Sequence, residues 1–160
     1  PAVRPPGVVA VHVLVAEVGM VRALATGTDE RLDGLAAAFW PGALTVVLNA
    51  RETLRMDLGE RGATIAVRVP DHDFTRELLR RTGPLAVSSA NVHGEEPALT
   101  VDAAVAQLGD SCSVYLDAGE MGGPVPSTIV DLTGPRARVL REGRITSAQL
   151  NEAVPGLIED

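Results

Sequence analysis

Short runs of β-branched and other apolar residues recur along this chain, separated by segments with helical spacing. Residues 8–16, 43–49, 64–69 and 127–132 each predict a strand. Only four aromatic residues occur among 160, so the core must consist mostly of Val, Leu, Ile and Ala. This pattern predicts one α/β domain over residues 1–160, with a mixed sheet and flanking helices.

Helix signals occur between these runs. The predicted helices cover residues 28–40, 71–82, 100–108 and 146–154, with Thr28 and Thr100 as N-cap residues. We expect further strands at 113–117, at 138–141 and directly after Gly83-Pro84. Residues 51–62 are charged and contain two glycines, which predicts an exposed connection.

The basic residues restrict the chemistry. All 14 are arginines, which excludes a Walker-type phosphate loop, a Schiff base and a lysine general base. The net charge of −7 argues against tight, nonspecific binding of nucleic acid. An anionic ligand would therefore be bound by arginines, hydroxyls and backbone amides.

Cys112 is the only cysteine, which favours a reducing, cytoplasmic location. No apolar run is long enough to predict a membrane span, and residues 1–10 do not resemble a secretory signal. We therefore expect no membrane association. The chain begins with proline and enters an apolar run almost at once, so we expect it to be part of a longer gene product.

Arg68 stands out because it interrupts an apolar strand. By strand alternation it shares one face with Thr64 and Ala66, while Ile65 and Val67 point to the other. A buried charge without a partner is costly. Two interpretations stay open: Arg68 pairs with a carboxylate on an open sheet face, or it binds an anionic ligand in a cleft.

Other polar residues lie near predicted strand ends. Ser88, Ser89 and Asn91 follow one strand and Ser127 precedes another, positions that suit either a ligand site or a local turn. No metal-binding spacing is present, so we expect no protein-held metal. We expect His12 to be a packed core histidine.

Five segments together resemble the YrdC-like threonylcarbamoyl-AMP synthase family in order and spacing over residues 4–145. They are FWPGALT at 39–45, VRVP at 67–70, SSAN at 88–91 with Gly94 and Pro97, STIVD at 127–131 and LREG at 140–143. The resemblance implies a twisted mixed α/β sheet with a concave ligand groove, in a domain that lacks its N-terminal segment here.

The same resemblance implies a nucleotidyltransferase. It would join L-threonine, bicarbonate and ATP, with Mg²⁺, into threonylcarbamoyl-adenylate and pyrophosphate. Partner proteins would then transfer the threonylcarbamoyl group to tRNA, and contact with tRNA or double-stranded RNA is a further expectation. Because this chemistry needs positioning and charge neutralisation, we expect no catalytic nucleophile from the protein.

Roles for individual residues follow from the resemblance. The resemblance implies that threonine is bound by Arg68, Ser88 and Ser127. It implies that ATP is bound by Arg4, Thr64, Ala90, Ala98 and Arg141, and that Ser89 and Asn91 support the site. The family has a Lys-x-Arg pair before a proline, but here Ala2 stands in place of that lysine and only Arg4 matches. His93 replaces a serine of the loop. The alternative is a noncatalytic YrdC-like module that binds nucleotide or RNA.

Overall fold

The computed structural model describes residues 12–54, 63–92, 94–121 and 125–158. These residues form two compact units. The described part of the larger unit lies within 12–87 and 125–158, and that of the smaller unit within 88–121. The single domain predicted over residues 1–160 stays a prediction.

The elements alternate between strands and helices. In chain order they are β1 (His12–Leu14), α1 (Val18–Leu24), β2 (Ala25–Thr26), α2 (Glu30–Phe39), β3 (Leu44–Ala50), β4 (Thr64–Arg68), α3 (Asp73–Thr82), β5 (Leu85–Val87), α4 (Val101–Leu108), β6 (Thr128–Asp131), β7 (Arg138–Arg141) and α5 (Ser147–Ala153). Helix α4 belongs to the smaller unit, and the other elements belong to the larger one.

The strands form one mixed, twisted sheet in the order β5-β1-β4-β3-β6-β7, and β2 pairs with β3 beside this path. The β1–β4 and β3–β6 pairs are parallel. The β3–β4, β1–β5 and β6–β7 pairs are antiparallel. The predicted α/β class, with a mixed sheet and flanking helices, is therefore confirmed.

One face of the sheet is the core. Along β4, Ile65 and Val67 are 1% and 0% exposed, whereas Thr64, Ala66 and Arg68 are half-buried on the opposite face. Neighbouring strands add further apolar side chains to the core, among them Val13, Leu44, Val46, Leu48 and Val130. The predicted division of this strand into an apolar and a polar face is confirmed.

Side-chain caps set where several helices begin. Thr100 accepts a hydrogen bond from the Ala103 amide at the start of α4, as predicted. For α2 the predicted cap at Thr28 is wrong, because the Asp29 carboxylate accepts from the Arg31 amide at 3.1 Å. Both residue types suit an N-cap, and the structure places the cap one residue later.

Some predicted strands differ from the observed ones. The strand predicted at 113–117 is not formed, so that prediction was wrong. The strand predicted directly after Gly83-Pro84 is present as β5, and it lies at the edge of the sheet path, where Leu85 is 36% exposed. The described part of the 8–16 run is strand only over His12–Leu14. Residues 8–11 and 55–62 lie outside the described residues.

Helix α1 had no counterpart among the predictions. It follows Glu17, which makes no side-chain cap hydrogen bond, and it contains Gly19 near its start. Across the described ranges, no helix combines the length and apolar character that crossing a membrane requires.

Candidate functional site

Arg68 ends strand β4 and is held by the turn that precedes β3. Its Nε donates to the Gly42 carbonyl oxygen at 2.8 Å, and the Gly42 amide donates to the Val69 oxygen at 2.9 Å. Within the described part of the chain, the two terminal nitrogens of Arg68 have no hydrogen-bond acceptor. The turn therefore orients the guanidinium and leaves its outer edge available to a ligand.

The surroundings of Arg68 favour a bound anion. Burial lowers the pKa of its guanidinium, the nearby Arg144 lowers it further, and Asp71 opposes both effects. An arginine stays protonated at neutral pH even so. Burial and a neighbouring cation both disfavour the charged form of the Arg68 guanidinium. A bound anion would stabilise that charged form and so offset both effects.

Arg141 lies against Ser127. Its Nε and Nη2 donate to the Ser127 carbonyl oxygen at 3.0 and 2.9 Å, and Nη2 is 3.2 Å from the Ser127 hydroxyl oxygen. That hydroxyl also lies 2.9 Å from the hydroxyl of Thr45 on β3. Ser127 is only 6% exposed, so it holds Arg141 in place while presenting little surface of its own.

The loop after β7 packs closely on the same backbone. A Cβ atom on Gly143 would meet the Pro126 oxygen and lie 2.7 Å from the Ser127 carbonyl carbon. The Thr128 hydroxyl donates to the Ile145 oxygen at 2.6 Å and accepts from the Gly143 amide at 2.9 Å. This close approach fixes the loop that follows Arg141.

His12 lies on the polar face of the sheet. It pairs in register with Ala66, which shares a strand face with Arg68. Burial, then Arg141, then Arg68 lower the pKa of the imidazole. His12 is half-buried outside the apolar core, so the prediction of a packed core histidine was wrong.

These contacts assemble one cluster on the larger unit. We call His12, Arg68, Ser127 and Arg141 the arginine site. The sequence singled out the two arginines and the serine and missed His12. It also missed Thr45, whose contact with Ser127 spans 82 positions of sequence.

Thr64 lies on the same face of β4, opposite Asn49 of β3. Arg4, which was also predicted to bind ATP, lies outside the described residues.

The smaller unit contains the other predicted residues. The Ala98 amide donates to the Ala90 carbonyl oxygen at 3.0 Å. This hydrogen bond joins two residues that were predicted to bind ATP. Ser88 and Ser89 are exposed, and the Ser88 hydroxyl is 3.5 Å from the Ser89 carbonyl oxygen.

Asn91 holds the loop that follows. Its Nδ2 donates to the carbonyl oxygens of Val92 and Glu95, at 2.9 and 3.0 Å. Its Oδ1 is buried and has no hydrogen-bond partner in the described part of the chain. The contacts to Val92 and Glu95 agree with the supporting role predicted for Asn91, which stays a prediction.

Metal-ligating side chains do not cluster in the described residues: no group of three or more His, Cys, Asp or Glu side chains could hold an ion there. A Mg²⁺ ion that accompanies ATP is commonly held by phosphate oxygens and waters, with few protein ligands.

The sequence matches the family of Sua5, YciO and YrdC domains, described as "Telomere recombination", over residues 8–143. That match covers most of the chain. The chain therefore belongs to the Sua5/YciO/YrdC family, which confirms the resemblance found in its motifs.

Individual relatives agree with this assignment. A relative from Mycobacterium tuberculosis is 44% identical over 136 residues, which are 85% of this chain and 61% of that protein. The threonylcarbamoyl-AMP synthase of Bacillus subtilis is 32% identical over 146 residues, 90% of this chain and 42% of its own. The chain thus spans less than two thirds of the length of either relative.

A solved structure shares the fold. Sua5 of P. abyssi, crystallised in complex with L-threonine, superposes with a TM-score of 0.82 and 28% sequence identity. The match covers 91% of this chain and 43% of that one.

Proposed function

We propose that this chain is the synthase domain of a threonylcarbamoyl-AMP synthase. In this reaction the amine of L-threonine combines with bicarbonate to give a carbamate and water. A carbamate oxygen then attacks the α-phosphorus of ATP, and pyrophosphate leaves. The observation that carries the proposal is the convergence of His12, Arg68 and Arg141 beside Ser127 in a cluster that favours anions.

Arg68 is the proposed anchor for the threonine carboxylate. Its Nε is already engaged by Gly42, so the outer edge of the guanidinium is held in one orientation. Arginine forks suit planar carboxylates because two parallel hydrogen bonds can form. Fixing threonine this way would position its amine for carbamate formation without a protein nucleophile.

Arg141 is proposed to neutralise charge on the phosphates of ATP. Two of its nitrogens are tied to Ser127, which leaves Nη1 for a phosphate oxygen. Charge developing during attack at phosphorus is stabilised best by donors that are already oriented. Ser127 would act mainly by holding this guanidinium in place.

His12 adds a neutral group within the electrostatic reach of two cations, Arg141 and Arg68. Because burial and both arginines lower its pKa, its imidazole is neutral at neutral pH. A neutral imidazole can accept a hydrogen bond from the threonine ammonium or hydroxyl. We propose this positioning role for His12 in addition to the residues suggested by the motifs.

The remaining roles rest on the motif resemblance. They are Ser88 for threonine, Arg4, Thr64, Ala90 and Ala98 for ATP, and Ser89 and Asn91 as support. Mg²⁺ would enter with ATP, bound through phosphate oxygens. The product would pass to partner proteins that modify tRNA in the cytoplasm.

Pyrophosphate release tests the proposal directly. The purified chain is incubated with ATP, Mg²⁺, L-threonine and bicarbonate, and separate reactions omit threonine or bicarbonate. We expect release that requires both, with the adenylate product identified by mass. ATP binding without threonine-dependent release would instead favour the noncatalytic module, and neither binding nor release would overturn both assignments.

A further inference from the structure

Thr45 of β3 lies between Arg68 of β4 and Ser127, which directly precedes β6. Strand β3 pairs with both neighbours. Val46 pairs with Val67, and Thr45 and Arg68 are the next residues of these two antiparallel strands beyond that pair. Because Val46 belongs to the core, Thr45 points to the opposite, polar face of the sheet. Thr45 therefore belongs to the part of the sheet that carries the arginine site.

The Thr45 side chain is buried and has one polar partner. It is 0% exposed, and its hydroxyl oxygen lies 2.9 Å from that of Ser127. Across the described residues its hydroxyl has no other hydrogen-bond partner. Thr45 therefore cannot touch a ligand itself, and any effect that it has on a ligand acts through Ser127.

Either hydroxyl of this pair could donate, and Arg141 limits the choice. Arginine is a donor only, so its Nη2, at 3.2 Å, occupies one acceptor position of the Ser127 hydroxyl oxygen. That oxygen has one acceptor position and one proton left. Thr45 donates to this position and leaves the Ser127 proton free, or Ser127 donates to Thr45 and leaves the Thr45 proton without an acceptor.

Burial decides between the two arrangements. A buried donor without an acceptor carries the full cost of its desolvation. The Thr45 proton would carry that cost, because no water reaches a side chain that is 0% exposed. Ser127 keeps 6% exposure beside the arginine site, so water or a ligand can accept its proton. The arrangement in which Thr45 donates is therefore the more stable one.

We propose that Thr45 is a positioning residue, which makes the Ser127 hydroxyl a hydrogen-bond donor to an anionic oxygen of bound threonine. Accepting two hydrogen bonds also polarises the Ser127 hydroxyl and strengthens the bond that it donates. A carboxylate or carbamate oxygen accepts such a bond, whereas an ammonium group does not. The direction of the Thr45–Ser127 bond follows from the protein alone, and the identity of the ligand rests on the proposed function.

NMR of hydroxyl protons in the ligand-free protein tests the direction. We expect a slowly exchanging Thr45 hydroxyl proton with a nuclear Overhauser contact to the Ser127 β protons, and its loss in Thr45→Val. The hydroxyl of Thr26, on an exposed part of β2, provides the reference for rapid exchange. A protected Ser127 hydroxyl proton, or a Thr45 proton that exchanges as fast as that of Thr26, would overturn the proposal.

Calorimetric titration with L-threonine tests the effect on the ligand. Thr45→Val keeps the shape of the side chain and removes its hydroxyl, and we expect threonine affinity to fall about three- to tenfold. Thr45→Ser should restore it to within about twofold. ATP affinity should hold, because both bonds from Arg141 to the Ser127 carbonyl remain. Thr26→Val, which removes a hydroxyl bonded to the Asn49 oxygen, is the matched control.

The Ser127→Ala background separates positioning from a structural effect. If Thr45 acts through the Ser127 hydroxyl, adding Thr45→Val to Ser127→Ala should weaken threonine binding no further. Urea unfolding curves of all variants show which ones are folded. The proposal is overturned if Thr45→Val binds threonine unchanged, if Thr45→Ser fails to restore binding, or if Thr45→Val causes the same loss in both backgrounds.

Bicarbonate distinguishes the two anionic oxygens. A loss of affinity in Thr45→Val with threonine alone would support the carboxylate, and a loss only when bicarbonate is present would support the carbamate. If the unsubstituted protein binds no threonine, the proposed function and the ligand assigned to Ser127 both fail. The hydroxyl proton measurement still tests the direction of the Thr45–Ser127 bond, so the two failures are distinguishable.

Discussion

Arg141 donates two hydrogen bonds to a single backbone oxygen, the carbonyl of Ser127, from Nε at 3.0 Å and from Nη2 at 2.9 Å. A backbone acceptor cannot change its rotamer, so this pairing fixes the guanidinium more firmly than a side-chain partner would. The position of Arg141 therefore depends on the loop that follows it as much as on β7.

Gly143→Ala should disturb that loop. The added Cβ would collide with the Pro126 oxygen and crowd the Ser127 carbonyl, the acceptor for Arg141. We expect a loss of about 1–3 kcal/mol in the free energy of unfolding, which is typical of overpacking. Pyrophosphate release should also fall, measured beside urea unfolding curves.

Gly19→Ala is the matched control for this substitution. Gly19 lies in α1 with no atom within 4 Å of an added Cβ. Alanine in a helix is favoured over glycine by about 0.5–1 kcal/mol, so this variant should be neutral or more stable. Equal stability and activity of the two variants would show that the close approach at Gly143 does not position Arg141.

Arg68→Ala should impair threonine use more than folding. The substitution removes the proposed carboxylate anchor, and its Nε contact with Gly42 is one hydrogen bond. We expect the KM for threonine to rise about tenfold or more, with a smaller change in the KM for ATP. Steady-state kinetics measure both constants, and Arg22→Ala, an exposed arginine paired with Asp33, is the control. An unchanged threonine KM would remove Arg68 from the site.

Several elements were predicted to within a residue or two because their signals are local. Strand β4 alternates cleanly between faces, and Thr100 and Thr146 cap α4 and α5 with their own side chains. No prediction covered helix α1. Its N-cap residue, Glu17, makes no side-chain cap hydrogen bond, so no capping residue marks where the preceding apolar run ends and the helix begins.

The site was harder to predict because its contacts are nonlocal. Residues 8–16 are apolar at nearly every position, so alternation could not indicate which face His12 occupies. Gly42 was noted only as part of the FWPGALT segment, yet its carbonyl oxygen holds Arg68. Thr45 resembles any strand threonine until folding brings it 2.9 Å from Ser127.

Asp131→Asn should destabilise the end of β6. It should also make the free energy of unfolding decrease less steeply as pH falls into the acid range. Burial alone would raise the pKa of Asp131, but hydrogen bonds from Thr133 and the Arg138 guanidinium lower it below the ordinary 3.8. A lowered carboxyl pKa stabilises the fold fully above 3.8, and this contribution is lost as pH falls through the folded-state value.

Urea unfolding of both proteins at neutral pH and near pH 3 measures this effect. We expect the substitution to cost about 1–3 kcal/mol at neutral pH, since a buried acceptor loses charge-assisted bonds. The cost should shrink in acid. Asp110→Asn, at an exposed position, controls for the chemistry of the change. A cost that stays constant with pH would contradict the assignment.

His12 should titrate below 6.5, and Arg141→Gln should raise its pKa. Burial is the largest cause of the lowered value, followed by Arg141 and Arg68, so removing one charge restores part of the shift. NMR of the imidazole carbon-bound protons across the pH range measures this, with the signal assigned by His12→Gln. Arg80→Gln on α3, paired with Glu17 and Glu77, should leave the titration unchanged.

The same shift predicts how His12 affects stability. Because the pKa is lowered in the folded state, the unfolded chain binds more protons between that value and 6.5. Stability should therefore fall as pH decreases through this window, and the fall should be smaller in Arg141→Gln. A wild-type His12 pKa at or above 6.5, or one that Arg141→Gln does not move, would show that the arginines do not act on this imidazole and would remove it from the arginine site.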